Sequence, residues 1–174
     1  MTDDGPSLTD FFIELMEREQ GRMKRAVDGL ADEQLYSQPA QESNSIGWLV
    51  WHLSREKDNI GSLVSGETEV WVSDGWAQRF GLPESGNGNG DTPEQVSAFR
   101  ADRDLLLGYA DAAHSATLRR VQEASKKQLT REWAGLRGAP RPAWKWLVLE
   151  ATDYAEHTGQ IAYLRGMLTG LGWL

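Results

Sequence analysis

Four long stretches of the chain repeat apolar residues every three or four positions, and glycine and proline separate the stretches. This spacing puts the apolar side chains on one face of an α-helix, whereas a strand would need strict alternation. The first stretch follows Gly5-Pro6 and ends near Leu30. Ser7 is a favourable N-cap, and Asp10 three residues later can complete a capping box. The sequence therefore predicts a helix that begins after Ser7.

The second and fourth stretches predict helices as well. The second begins near Ser43 and ends at Gly66. Its first half is apolar on nearly all sides, so we expect this half to be buried in the middle of the domain. The fourth runs from Ala143 to about Leu168. Between the third and fourth stretches, residues 129–133 favour at most a short extended piece.

The third stretch begins at Thr92, an N-cap residue, with Pro93 at the first helical position. Its apolar stripe continues to Val121, so we expect one helix of roughly 30 residues, about 45 Å long if unbroken. Four amphipathic helices in 174 residues predict an all-α fold. The expected architecture is a four-helix bundle formed by a single domain over residues 1–174, with a long loop between its second and third helices.

This long loop covers residues 67–91. Loops of such length in a compact domain are usually functional or mobile. Trp71 and Trp76 suggest a segment that covers a pocket, with Arg79 as a contact for a substrate carboxylate, although loop aromatics more often pack into the core. The tract 85–90, SGNGNG, lacks the Lys-Ser/Thr end and the preceding strand of a phosphate-binding loop, so we interpret it as a flexible linker.

Composition excludes several classes of function. The chain has 26 acidic and 18 basic residues, a net charge of −8 and no cluster of lysine and arginine, which argues against nucleic-acid binding. Cysteine is absent, which excludes disulfides, thiolate metal sites and cysteine nucleophiles. No run of about 18 uncharged apolar residues predicts a membrane span. Residues 1–4 are acidic where a signal peptide is basic, so we expect a cytoplasmic protein.

All three histidines, His52, His114 and His157, lie inside predicted helices. Asp153 precedes His157 by four residues, so the two side chains share one face of the fourth helix. A carboxylate and an imidazole one turn apart can chelate one divalent ion, and His52 from a facing helix can complete a three-ligand site with an open position. Asp58, six residues after His52, faces nearly the opposite way and is not expected to be a ligand.

A structural interpretation of the same residues stays open. Asp153 and His157 can form an ordinary hydrogen-bonded pair, and His52 can be a hydrogen-bonded core residue. His114 either approaches the same end of the bundle or satisfies buried polar atoms of the third helix. Gln160, one turn from His157, is a candidate to orient the histidine ring.

Two segments carry a resemblance to a known family, residues 44–53 (NSIGWLVWHL) and 153–160 (DYAEHTGQ). They resemble the DinB-like superfamily of four-helix-bundle metalloproteins, which includes mycothiol-dependent maleylpyruvate isomerases and bacillithiol transferases. The helix pattern is similar over nearly the whole chain. Residues 74–82 (DGWAQRFGL) are similar to a segment of an actinobacterial branch of uncharacterised members.

The resemblance implies a divalent metal, often zinc or nickel in the family, held by His52, Asp153 and His157. Asp153 stands where the family commonly has the first histidine of a His-x-x-x-His pair, which makes the site harder and more anionic. The implied activity is that of a small-thiol S-transferase or isomerase, with a mycothiol-type cofactor and a small-molecule substrate. The alternative is a non-catalytic metal-binding or stress-associated bundle protein, for instance a homodimer with Trp173 at its interface.

Overall fold

The computed structural model describes residues 5–134 and 139–170 of the chain. Its long helices are α1 (Leu8–Val27), α3 (Ile46–Ser65), α7 (Arg103–Gln122) and α9 (Ala143–Thr169). Shorter helices lie between them, namely α2 (Asp32–Leu35), α4 (Val70–Ser73), α5 (Trp76–Phe80), α6 (Pro93–Ala98) and α8 (Lys126–Thr130). Two short antiparallel strands, β1 (Glu132–Trp133) and β2 (Arg141–Pro142), pair before α9.

The four long helices form a bundle, which confirms the predicted all-α fold. Helix α3 packs against α7 and α9, and α1 packs against the same two helices. The order around the bundle is therefore α1, α7, α3, α9. Helix α3 is buried along most of its length, as its apolar first half predicts. Within the described ranges, every helix is too short or too polar to cross a lipid bilayer.

The starts of the first two long helices follow the predicted capping. Ser7 Oγ accepts a hydrogen bond from the Asp10 backbone N–H at 3.1 Å, and the Asp10 carboxylate accepts one from the Ser7 backbone N–H at 2.8 Å. This is the predicted capping box. Ser45 caps α3 by accepting from the Trp48 backbone N–H at 3.3 Å, and α3 ends at Gly66 in the left-handed conformation.

The prediction of one long third helix is wrong. The chain leaves the helical conformation at Phe99, which ends α6 with an extended backbone. A new helix, α7, begins after Asp102, whose carboxylate accepts hydrogen bonds from the backbone N–H groups of Asp104 and Leu105 at 2.9 and 3.3 Å. The apolar pattern did not reveal the break because apolar residues on both sides of it, such as Phe99 and Leu106, are buried.

Two further expectations need correction or restriction. Of residues 129–133, Leu129 and Thr130 belong to α8, and only Glu132–Trp133 form a strand. Trp173, expected at a subunit interface, lies outside the described residues.

The connection after α3 is folded onto the bundle. The Asp58 carboxylate of α3 accepts hydrogen bonds from the backbone N–H groups of Val70 and Trp71 at 3.0 and 2.8 Å, at the start of α4. Arg120 of α7 forms an ion pair with the same carboxylate at 3.1 Å. Asp58 therefore joins α3, α4 and α7, and it is not among the side chains that cluster with His52.

Candidate metal centre

Three side chains predicted to be metal ligands meet between α3 and α9. His52 comes from α3, and Asp153 and His157 come from adjacent turns of α9. Each offers one ligand atom, and these three atoms lie within 4.8 Å of one another. His157 Nε2 is 3.7 Å from Asp153 Oδ2. His52 is buried, while the other two are partly exposed, so the cluster is accessible from one side.

The His52 ring is fixed in one orientation. Its Nδ1 lies 2.5 Å from the backbone carbonyl oxygen of Asn87, and since a carbonyl only accepts, Nδ1 carries the proton. The Trp48 indole stacks on the ring at a centroid distance of 4.8 Å. The lone pair is therefore on Nε2, the nitrogen left for a ligand. Burial lowers the pKa of His52, which favours this neutral form.

The segment that supplies the Asn87 carbonyl is the Gly/Asn tract, 85–90, and its interpretation as a flexible linker is wrong. Asn87 and Gly88 are buried against α3. A Cβ atom at Gly88 would lie 2.8 Å from Trp48 Cζ2 and 3.0 Å from His52 Nδ1, and its φ is +94°. Only glycine fits this close approach without strain. The tract is thus part of the candidate centre, in a role that composition alone did not reveal.

The His157 ring has a comparable arrangement. Its Nδ1 lies 3.0 Å from Gln160 Oε1, so it donates to the amide oxygen and leaves the Nε2 lone pair free. Gln160 was predicted to orient this histidine, and it lies where that role requires. Two imidazoles and one carboxyl group form a donor set that suits a divalent ion such as zinc, with room for a further ligand. The residues present therefore fit the metal that the sequence implies.

A cavity of about 250 Å³ adjoins the cluster at Asp153. Glu56, one turn after His52 on α3, lines it together with Glu150, three residues before Asp153 on α9. Burial raises the pKa of Glu56 to about 7, and burial also raises the pKa of Glu150 well above its ordinary value. The sequence reasoning missed both glutamates, although their helical spacing from His52 and Asp153 was a usable signal.

His114 does not join the other two histidines. Its Nδ1 lies 3.3 Å from Lys57 Nζ, and its Nε2 lies 3.2 Å from Glu17 Oε2. Lys57 Nζ also donates to Gln20 Oε1 at 2.8 Å and to the Tyr154 hydroxyl at 3.1 Å. His114 is thus part of a separate buried polar cluster. Of the two alternatives for this residue, the structure agrees with the one in which His114 satisfies buried polar atoms.

The loop residues proposed for a pocket lie elsewhere. Trp71 is fully buried and packs against Tyr109 and Phe80, with centroid distances of 4.9 and 5.2 Å. Trp76 also packs against Tyr109, at 5.6 Å, and the Arg79 guanidinium stacks on the Trp76 ring at 3.8 Å. These side chains belong to the core and its edge, and other residues line the cavity beside Asp153.

The comparisons with known proteins agree with this architecture. The sequence model of the DinB superfamily matches residues 15–161. The crystal structure of a conserved protein from Enterococcus faecalis is similar to the chain with a TM-score of 0.85 and 25% sequence identity, covering 96% of this chain and 100% of that one. No functionally curated protein matches the chain significantly.

Proposed function

This chain belongs to the DinB superfamily, and on that premise we propose that it binds a divalent metal ion through His52, Asp153 and His157 and uses it in the chemistry of a small thiol. The observation that carries the metal site is the convergence of the three ligand atoms within 4.8 Å. The membership in the actinobacterial branch stays a prediction.

The hydrogen bonds around the histidines support the metal site. The Asn87 carbonyl and the Gln160 amide oxygen each accept a hydrogen bond from the Nδ1–H group of one histidine, so both Nε2 lone pairs are available for a metal ion. The ring centroid of His52 lies 5.2 Å from that of His157. If Asp153 and His157 formed only a structural pair, this approach of His52 would not be needed. Three protein ligands leave a position for an exogenous group.

A bound divalent ion lowers the pKa of a coordinated thiol, so that thiolate is available at neutral pH. Because the chain has no cysteine, the sulfur must come from a small molecule, and we propose a mycothiol-type thiol. In the transferase reaction, sulfur forms a bond to an electrophilic carbon, the leaving group departs with its bonding electrons, and the thiol proton passes to water. An isomerase would use the same thiolate by adding it to the substrate and eliminating it again.

A second candidate is a non-catalytic metal-binding protein that assembles as a homodimer. The outward face of α9 favours it, because Val148, Tyr163 and Met167 are 55%, 71% and 57% exposed. Exposed apolar side chains along one helix are typical of a subunit interface.

Elemental analysis of protein purified without chelator tests the metal site. We expect about one zinc or nickel ion per chain, lost in His52→Ala and in Asp153→Ala. Glu156→Ala is the matched control, because Glu156 is exposed on α9 beside the same ligands. A metal-free wild type, with both variants folding as before, would contradict the proposal.

Turnover separates the transferase from the non-catalytic candidate. Metal-loaded protein is assayed with mycothiol, bacillithiol and glutathione against a bromomethyl electrophile. We expect thiol-dependent product formation that disappears in His157→Ala. If a metal-loaded sample turns over none of the three thiols, the transferase is wrong and the metal site remains.

A further inference from the structure

The cavity beside Asp153 has one apolar side and one acidic side. Its apolar lining residues are Ile60, Leu63, Trp146 and Leu149. Its acidic lining residues are Glu56, Glu150 and Asp153. A volume of about 250 Å³ suits a small organic molecule.

Glu150 is the most informative of these carboxyl groups. Its residue is only 3% exposed, and within the part of the chain that the structure describes, its Oε1 has no hydrogen-bond partner. A buried carboxyl oxygen without a donor is costly, and such groups in folded proteins are usually satisfied. A ligand that brings a donor into the cavity would satisfy it.

Glu56 adds a second carboxyl group with a fixed position. Its Oε1 accepts a hydrogen bond from Asn89 Nδ2 at 2.5 Å, so the Gly/Asn tract orients it. Burial is the largest cause of the raised pKa of both glutamates. The second cause is the negative charge of Glu56 for the pKa of Glu150, and the negative charge of Asp153 for the pKa of Glu56. The repulsion between Glu56 and Glu150 is relieved by a cation placed between these two carboxyl groups.

The cations of the chain near the cavity are held by other groups. Arg55 attracts Glu56 through its charge, but its Nη1 donates to Glu69 Oε2 at 2.6 Å. Arg141 lines the cavity, and its guanidinium stacks on the Trp146 ring at 4.8 Å. Lys57 attracts Glu150 through its charge, but its Nζ donates to Gln20 and Tyr154 and lies against His114. With Asp153 assigned to the metal ion, Glu56 and Glu150 remain on the acidic side of the cavity, and the unpartnered Oε1 of Glu150 favours a ligand that brings a positively charged donor.

A second metal ion does not explain the carboxyl groups. Among the described residues, His52, Asp153 and His157 are the one set of three whose ligand atoms come within metal-binding distance of one another. Glu56 and Glu150 are outside this set. An ammonium group, with its three N–H donors, can instead donate to more than one carboxyl group at once.

Building on the proposed function, we infer that this cavity is the substrate pocket of the metal centre and that it binds a small molecule carrying a protonated primary amine, held by the carboxylates of Glu150 and Glu56. The apolar part of the molecule packs against Trp146 and Leu149. The neighbouring Asp153 places this ligand beside the metal-binding position.

A pair of probes of similar shape tests the inference. Calorimetric titration of the metal-loaded protein compares 2-phenylethylamine, which is protonated, with 2-phenylethanol, which is neutral. We expect the amine to bind roughly tenfold more tightly or better, as charged hydrogen bonds to a buried group allow. Equal affinities, or no binding of either probe at millimolar concentration, would overturn the inference.

Variants locate the preference. Glu150→Gln removes the buried carboxyl group that the amine would pair with and should abolish the preference for the amine, and Glu56→Gln, at a half-buried position, should reduce it. Glu156→Gln, at an exposed position of α9, is the matched control and should leave the preference unchanged. A preference that survives in both pocket variants, with circular dichroism like that of the wild type, would also overturn the inference.

A further comparison keeps the inference distinct from the proposed function. In cobalt-loaded protein, sulfur ligation is followed by the thiolate-to-cobalt absorption with cysteamine and with 2-mercaptoethanol, which differ by an amine and a hydroxyl group. Stronger ligation by cysteamine that is lost in Glu150→Gln supports both proposals, whereas a difference that persists in this variant reflects chelation of cobalt by the amine and overturns the amine pocket. Equal ligation keeps the thiol chemistry and overturns the amine pocket. An amine preference in the phenyl probes without any thiolate absorption supports the pocket and contradicts the thiol chemistry.

Discussion

At the residue scale, the candidate centre depends on contacts that carry no charge. Asn87 offers only its backbone carbonyl and Gly88 only its lack of a side chain, yet both determine how the His52 ring is held. Gln160 does the same for His157 through its amide oxygen. The positions of the two lone pairs are therefore set by neighbours that would not bind a metal themselves.

Gly88→Ala tests the close approach of the tract to His52. The new methyl group would meet Trp48 and His52 at a backbone with φ of +94°. We expect a loss of about 1–3 kcal/mol in the free energy of unfolding and weaker metal binding, measured by urea unfolding and metal competition. Gly86→Ala is the control, because Gly86 has φ of +93° but no atom within 4 Å of its Cβ position. Equal metal affinity in both variants would show that the contact with His52 is unimportant.

Gln160→Ala tests the orientation of His157. Without the amide oxygen at 3.0 Å, the imidazole can rotate and change tautomer. We expect metal affinity to fall about 10–100-fold with little change in stability, since Gln160 is exposed. Competition with a chromogenic chelator measures the affinity, and an unchanged dissociation constant would contradict the assigned role.

At the scale of elements, the caps and the breaks of the helices explain how the site is assembled. Ser45 starts α3 and so fixes the register of His52, while the extended residues before Asp102 turn the chain from α6 into α7. Helix α4 is too short to be stable alone and depends on Asp58 for two of its first N–H groups.

Asp58→Ala tests this dependence. The change removes the acceptor for α4 and leaves Arg120 and Arg55, both buried, without that carboxylate. We expect the free energy of unfolding to fall by about 3–5 kcal/mol, as for other buried ion pairs that lose one partner. Asp74→Ala, at the exposed C-terminal end of α4, should change it by less than about 0.5 kcal/mol. Similar losses in the two variants would argue against the role of Asp58.

The boundaries of α1, α3 and α9 could be predicted to within a few residues because caps and periodicity are local signals, whereas the start of α7 could not. Ser7, Gly66 and Ala143 lie at or next to the observed helix ends. The proximity of the three candidate ligands could be predicted as well, since Asp153 and His157 are one turn apart and the resemblance to the DinB-like superfamily adds His52.

The remaining features depend on contacts between distant segments. Nothing local in residues 85–90 indicates that they pack on α3, because the partners that hold Gly88 are Trp48 and His52. Trp71 is buried only because the chain after α3 folds back to Tyr109. The sequence around Glu150 does not distinguish it from an exposed helical glutamate. Its burial is a consequence of how α9 packs against α1 and α3.

At the scale of the whole molecule, one polar cluster joins all four long helices. The cluster surrounds the Nζ atom of Lys57 on α3. This atom lies 2.8 Å from Gln20 Oε1 of α1, 3.3 Å from His114 Nδ1 of α7 and 3.1 Å from the Tyr154 hydroxyl of α9. Because each helix contributes one member, the cluster is satisfied only when the helices pack in this order.

His114 makes the stability of the bundle depend on pH. Burial, and after it the charge of Lys57, lowers the pKa of His114 from 6.5 to about 4 in the folded protein. Between these values the unfolded chain binds the proton and the folded protein does not, so the free energy of unfolding falls as the pH is lowered through this window. His114→Gln should show a shallower fall, measured by urea unfolding at several pH values between 7 and 4. Parallel curves for variant and wild type would contradict this assignment.

The hydrogen bond from His52 to the Asn87 carbonyl also links two equilibria. If the metal ion binds best when Asn87 is in place, then the bound ion must stabilise the conformation of residues 85–90 by the same free energy. Asn89, in the same tract, holds Glu56 at the cavity, so this stabilisation extends to the proposed substrate pocket. A turn that belongs to none of the four long helices thus couples occupancy of the metal position to the shape of the cavity beside it.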